Sequence, residues 1–316
     1  MTIDAGALAG QRCVVLGAGG FVGTSLCRLL NSNGANVVGF GRRSRIDTAV
    51  FPGAWVDGEF NDAQAIAQVI DSADVVFHLL GGSNPSASNR DPAAELQTSL
   101  ATNLSLITTA IRARVGKLVF VSSGGTVYGA ATHFPIPEDA PTDPISAYGL
   151  GKLTIEKMLR IYSMIDGLDY TILRVANPYG PFQIPNRPQG ILATIIQRAL
   201  HGSPVEIWGD GTVVRDYLHV EDVCDALVRA AATNAGSKVF NVGSGIGRSL
   251  NEIVASVSDV LDVNISVVYK AGRSADIPTN ILDCTRAQQL LGWTPQVDWA
   301  EGLRGTADWL SRLGKD

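Results

Sequence analysis

The chain has 316 residues, of which 46% are hydrophobic and 17% charged, with a net charge of −5. That is length for one large or two modest domains, too apolar a composition for disorder, and no polybasic run of the kind a nucleic-acid partner requires. Residues 1–11 lack the basic flank and apolar core of a signal peptide, and nothing approaches ~18 uninterrupted apolar residues, so a cytoplasmic protein with no membrane span is expected.

Short apolar runs then alternate with helical stretches. Cys13–Leu16 predicts a strand that ends in glycines, Phe21–Asn31 a helix, Ala35–Phe40 a second strand, Gln64–Ile70 a helix and Asp74–Leu79 a third strand. Glu95–Arg114 predicts a long helix, Lys117–Val121 a strand, Ala147–Ile165 another helix and Tyr170–Val175 another strand. Near-continuous apolar strands between helices imply an α/β fold with a doubly wound parallel sheet, covered on both faces. After Asn177 prolines and glycines cluster and the elements shorten. Residues 1–175 are therefore expected to form a dinucleotide-binding Rossmann domain, and 176–316 a smaller α/β lobe that binds the substrate. Val239–Val242 is again strand-like, so 215–245 is expected to return to the first domain. The four cysteines, Cys13, Cys27, Cys224 and Cys284, form no CxxC pair and have no histidine at ligand spacing. They read as small buried hydrophobes of a reducing compartment, and no metal site is expected.

Gly17, Gly20 and Gly23 follow the first strand in GxxGxxG spacing and open the first helix. The first glycine permits a tight turn, the second lets the backbone approach a pyrophosphate, and the third lets helix and strand pack closely. The helix start, Phe21-Val22, then offers unpaired N–H groups to phosphate. The bland alternative is a tight strand–helix turn, but the place of the loop at the head of an alternating β/α chain favours the dinucleotide. The second strand runs into Gly41-Arg42-Arg43 with no acid for a ribose 2′-OH. Arginine forks suit a 2′-phosphate, so NADP is favoured over NAD, against the alternative of a solvated basic turn.

Tyr148 and Lys152 have YxxxK spacing at the start of a predicted helix and share one face. A phenol is a poor base at neutral pH. A lysine cation one turn away, together with an oxidised nicotinamide, is expected to lower its pKa, so that Tyr148 exchanges a proton with a sugar hydroxyl while Lys152 holds the nicotinamide ribose. An ordinary helix-surface pair is the alternative. His78 is expected to be packed or hydrogen-bonded, and His133 and His201 to lie on the surface.

These residues, taken with Val121-Ser122-Ser123-Gly124-Gly125-Thr126-Val127-Tyr128-Gly129, Leu173-Arg174-Val175-Ala176-Asn177-Pro178-Tyr179-Gly180-Pro181, Gly209–Tyr217, Asn241–Gly245, Arg273–Pro278 and Leu291–Pro295, are similar to the extended short-chain dehydrogenase/reductases. The resemblance is to their nucleotide-sugar epimerase/dehydratase branch. It covers nearly the whole chain. It implies cofactor contacts at Gly17, Gly20, Phe21, Val22, Gly23, Leu79, Tyr148 and Lys152. Glu59 stands where the family usually has an Asp facing the adenine amine, and Phe60 is its neighbour. Asn177, Arg215 and Arg273 match substrate contacts, the two arginines as a pyrophosphate clamp; Arg215 could instead pair with Asp216. The family's third catalytic hydroxyl falls at Gly124, so Ser123 or Thr126 must supply it, and Ser123 is preferred. Related dehydratases carry Asp-Glu at the next two positions, here Gly125 and Thr126, which disfavours water elimination.

The resemblance thus implies C4 epimerisation of a UDP-, dTDP- or GDP-hexose through a 4-keto sugar. A 4-ketoreductase that consumes NADPH is the alternative, and a non-catalytic cofactor-binding scaffold a third. It also implies a homodimer built on the two helices Glu95–Arg114 and Ala147–Ile165.

Overall fold

In a computed structural model of the chain, residues 6–42, 51–81, 88–185, 190–234, 238–272 and 277–313 are described. The largest sheet has seven strands, all parallel. β1 (Arg12–Leu16) lies inside it, with β2 (Asn36–Gly41) and β3 (Ala54–Asp57) to one side. To the other side lie β4 (Val75–His78), β5 (Lys117–Ser123), β6 (Tyr170–Val175) and, at the edge, β10 (Val239–Val242). Because successive side chains point to opposite faces, Val15 and Phe77 enter one core, and Val14, Leu16 and Val76 the other.

Helices cover both faces, which is why these strands are apolar throughout. On one face α1 (Phe21–Ser32) and α6 (Val220–Ala232) bury Leu26, Leu30, Val223 and Leu227. On the other, α2 (Ala63–Ile70), α3 (Pro92–Arg112) and α4 (Ala147–Asp166) bury Ile66, Leu106, Ile155 and Leu159. The helix ends follow local chemistry. Asp91 accepts from the Ala94 amide with Pro92 in the first turn of α3. Ser146 accepts from the Gly149 amide at the start of α4, which ends at Gly167 with φ +71°. After β1 the chain builds β2 and β3 outward on one side, then crosses back to lay β4 on the other. This reversal opens a crevice at the carboxyl ends of β1 and β4.

In the smaller lobe β9 (Val214–His219) pairs with β7 (Asn177–Tyr179), β11 (Gly247–Ser249) and β13 (Thr279–Asn280), and β8 (Val205–Trp208) pairs with β12 (Val267–Lys270). Its core lies between α5 (Ile191–Leu200), α7 (Leu250–Leu261) and α9 (Trp299–Leu313), with Ile195, Ile196, Ile253, Val257 and Leu303 inside. A short α8 (Thr285–Leu291) returns to the first core through Ala287 and Leu291. No described helix is long and apolar enough to cross a membrane. The cysteines are unpaired, and Cys13, Cys27 and Cys224 are buried.

Candidate active site

The glycine loop has the geometry a pyrophosphate needs. Gly17 sits at φ +92°, in the region that favours glycine, and its amide and that of Ala18 donate to the Phe40 carbonyl. A side chain at Gly23 would place its Cβ 2.2 Å from the Gly17 oxygen. Only glycine lets α1 start this close to β1. Gly20 caps α1 without a side-chain hydrogen bond, and the first turn carries no acid. The free N–H groups and positive dipole end are thus left for an anion, and the residues present fit a dinucleotide. Arg42 is exposed just beyond β2, while Arg43 lies outside the described residues. Leu79 follows β4 with its amide bonded to the Leu16 carbonyl, beside Gly17. Glu59 is exposed. Phe60 packs at 5.4 Å on the His78 ring.

Tyr148 and Lys152 share a cavity of about 370 Å³ between α3, α4 and the loop after β4. The Tyr148 amide donates to Ser88 Oγ at 3.1 Å and the Ala147 amide to Asn89 Oδ1 at 3.0 Å, which fix the head of α4. Gly149 lets that head lie on the turn after β5, since a Cβ there would come within 2.8 Å of the Thr126 oxygen. Lys152 Nζ donates to the Val121 carbonyl at 2.9 Å and lies over the Phe120 ring. Burial lowers its pKa to about 8, opposed by Glu156 one turn further on.

The protein's own groups raise the phenol pKa, and the lowering expected of Lys152 acting together with an oxidised nicotinamide belongs to the cofactor-bound enzyme. Burial, helped by the carboxylate of Glu95, pushes Tyr148 up to about 12. The lysine cation is spent on the Val121 carbonyl and sits 5.8 Å from the Tyr148 ring centroid, so it does not offset desolvation. His78 is buried, hydrogen-bonded to Asn103 and held neutral: desolvation, then the charge of Lys152, lowers its pKa to about 3. It packs rather than titrates.

The turn after β5 explains the missing hydroxyl. A Cβ at Gly124 would stand 2.5 Å from Leu282 Cδ1 and 3.0 Å from the Arg174 oxygen, so that position is filled from the far side. Ser123 is partly exposed at the end of β5. The Thr126 hydroxyl is buried and makes no hydrogen bond. Beneath this turn Arg174 grips Glu156 in a fork, Nη2 to Oε2 at 2.7 Å, and donates through Nη1 to the Tyr128 hydroxyl at 2.9 Å. Ser122 donates to the same glutamate.

In the smaller lobe Asn177 Nδ2 donates to the Asp216 carbonyl at 3.0 Å, tying β7 to β9. Arg215 lies opposite Arg248 of β11 and Asn280 of β13, and its Nη1 donates to the Val214 carbonyl. The Asp216 carboxylate is buried under the amides of Ser244, Gly245 and Leu282 and the Ser244 hydroxyl. Its role is to hold the turn after β10. Arg273 lies outside the described residues.

The family model for the NAD dependent epimerase/dehydratase family matches residues 13–243. A UDP-glucose 4-epimerase of Mycolicibacterium smegmatis is 34% identical, with 94% of this chain and 98% of that protein covered. The chain belongs to the NAD-dependent epimerase/dehydratase family.

Solved members agree in fold. The UDP-glucose 4-epimerase of Thermotoga maritima, solved with UDP-glucose, has a TM-score of 0.90 at 33% identity, covering 96% of this chain and 99% of its own. MoeE5, solved with UDP-glucuronic acid and NAD, has a TM-score of 0.86 at 30% identity, covering 96% and 99%. The protein is thus an enzyme of the extended short-chain dehydrogenase/reductase type, with a Rossmann sheet and a cofactor of the NAD(P) type. Sequence reasoning missed several residues of this epimerase/dehydratase site. Ser88 and Asn89 orient the head of α4, Asn103 holds His78, and Glu95 faces the cavity that holds Tyr148. The glycines of Tyr148-Gly149-Leu150-Gly151-Lys152 were the available signal for a helix pressed against neighbours.

Proposed function

We propose that the enzyme is a nucleotide-sugar 4-epimerase working on a UDP-, dTDP- or GDP-hexose. The observation that supports this reading is the cavity shared by Tyr148 and Lys152, with Lys152 tied to the Val121 carbonyl of β5, and no carboxylate at Gly125 or Thr126 for water elimination. The glycine loop, Phe21, Val22 and Leu79 would hold the dinucleotide, which supplies hydride acceptance and return at sugar C4. Tyr148 takes the C4 hydroxyl proton and gives it back. Ser123 orients that hydroxyl, and Lys152 would hold a ribose and, only together with the positive charge of an oxidised nicotinamide, favour the phenolate. Asn177, Arg215 and Arg273 would bind the nucleotide phosphates, for which forked arginines are suited.

We read residues 1–175 as the cofactor domain and 176–316 as the sugar-nucleotide lobe; of the 215–245 expected to return, α6 and β10 join the cofactor domain while β9 pairs with β7, β11 and β13. The pairing of β10 with β6 supports this division. NADP is preferred over NAD because Arg42 follows β2 where an acid would meet a ribose hydroxyl. That same arginine favours a second reading, an NADPH-dependent 4-ketoreductase. The four free cysteines favour the cytoplasm.

One experiment separates the readings. UDP-, dTDP- and GDP-hexoses and their 4-keto derivatives are incubated with the cofactor-loaded enzyme, while sugar products and nicotinamide absorbance are followed together. Interconversion of C4 epimers without net absorbance change is expected. Net oxidation of NADPH with a 4-keto sugar, and no epimerisation, would establish the reductase instead.

A further inference from the structure

The buried ion pair beneath the turn after β5 reaches further than a packing contact needs to. Tyr148, Lys152 and Glu156 recur every four residues along α4, so they share one face. β5 holds two of them through adjacent residues: the Val121 carbonyl accepts from Lys152 Nζ, and the Ser122 hydroxyl donates to Glu156. Arg174 of β6 forks onto the same carboxylate. Its Nη1 also donates to the Tyr128 hydroxyl, which in turn donates to Asn241 Oδ1 of β10 at 2.6 Å. Ser122, Tyr128, Glu156 and Arg174 are each 4% exposed or less. Among the described residues, none of these four lines the cavity beside Tyr148.

Ser122 and Tyr128 bracket one turn, and Ser123 and Thr126 stand on it. The turn lies against the head of α4: a Cβ at Gly149, the residue after Tyr148, would come within 2.8 Å of the Thr126 oxygen. One ion pair thus holds the turn at its start through Glu156 and at its end through Arg174, and it holds α4 one turn beyond Lys152. Apolar side chains of similar volume often serve stability as well as a buried ion pair does. They cannot bond in fixed directions to several elements at once, which the forked guanidinium and the two carboxylate oxygens do here.

We propose that Arg174 and Glu156 are positioning residues, which hold the turn bearing Ser123 in register with the head of α4 bearing Tyr148. They act through Ser123. This rests on the reading of the enzyme as a nucleotide-sugar epimerase in which Ser123 orients the reacting hydroxyl.

The test is steady-state turnover, dinucleotide titration and thermal melting of the cofactor-loaded enzyme, with the UDP-, dTDP- or GDP-hexose that the wild type converts. Tyr128→Phe keeps the ring and cuts the link to the end of the turn, while Arg174 stays paired with Glu156. Its kcat is expected to fall about tenfold, no further than in Ser123→Ala, with KM, dinucleotide affinity and melting temperature close to wild type. Because the loss runs through Ser123, Tyr128→Phe should cost little more once Ser123→Ala is in place. The Arg174→Met, Glu156→Leu double variant should melt above Arg174→Met alone yet stay slow, whereas a packing role would return activity along with stability. A wild-type kcat in Tyr128→Phe, losses that multiply with Ser123→Ala, or a double variant as fast as wild type would overturn the proposal. Oxidation of NADPH by a 4-keto sugar without interconversion would overturn the epimerase reading, and the same coupling of Tyr128 to Ser123 in that assay would leave the positioning standing. Interconversion with independent losses would do the reverse.

Discussion

Burial raises the pKa of the Tyr148 phenol, and in the epimerase reading this residue is the proton carrier. Tyr148→Phe keeps the ring and removes the proton carrier, so turnover should fall by about 10²–10⁴-fold in steady-state assays while dinucleotide binding survives. Ser123→Ala should cost less, since Ser123 only orients the sugar hydroxyl. Thr126→Ala should cost least, because its hydroxyl is sealed inside the turn; loss of activity in Thr126→Ala alone would reverse the assignment. The YxxxK pair was legible because it is local. Glu95 was not, because nothing in the sequence says that the first turns of α3 face Tyr148. His78 offers a test by pH. The unfolded chain takes a proton on this histidine near its ordinary pKa of 6.5, whereas the folded one resists to about 3. Between those values the unfolded state binds more protons, so this group's contribution to stability falls as pH falls through the window. Melting temperatures of His78→Phe, which keeps a ring between Phe60 and Phe120, should show a shallower acid slope than wild type.

At the scale of elements, the contact of α1 with β1 is set by a single missing methyl. Gly23→Ala must push α1 away from the Gly17 carbonyl, so dinucleotide titration should show weakened or lost binding with the helix still formed. The alternation of apolar strands with helices was legible: α1 begins at the predicted Phe21 and β6 has the predicted bounds. β3 escaped notice because Ala54–Asp57 is short and half-exposed, with an apolar run of only three residues. Also invisible was the grip of Arg174 on β6 upon Glu156 of α4, since both residues sit in segments that otherwise read as apolar core. Arg174→Met leaves Glu156 buried without its partner. Denaturant titration should show a loss of about 3–5 kcal/mol, part of it recovered in the Arg174→Met, Glu156→Leu double variant.

For the whole molecule, the change in composition after Asn177 marks where the run of large-sheet strands breaks off at β6, although α6 and β10 lie beyond it and join that sheet and its core. The pairing of β7, β11 and β13 around β9 was not legible, because these strands are two to six residues long and joined across long intervals. The surface carries one further expectation. α4 exposes Leu150, Ile161, Met164 (77%) and Ile165 (72%) beside α3, an apolar stripe of the kind two symmetric copies cover. Sedimentation at micromolar concentration should show a dimer, and Met164→Lys with Ile165→Lys should shift it toward monomer. A wild type that stays monomeric would remove the dimer from the description of this enzyme.

The strand at the edge of the large sheet is made late. β6 ends at Val175, but its outer neighbour β10 begins only at Val239, after the chain has laid down β7, β8, β9 and α6. During synthesis the first six strands can assemble while the outer edge of β6 is still bare. Such an edge is a template for pairing with other chains, and N-terminal segments fold first. A nascent chain of two hundred residues already holds the glycine loop, Tyr148 and Lys152, and it carries that open edge. Chains released before Val239–Val242 is delivered should therefore be found in the insoluble fraction, and slowing translation across the preceding segment should lower the soluble yield.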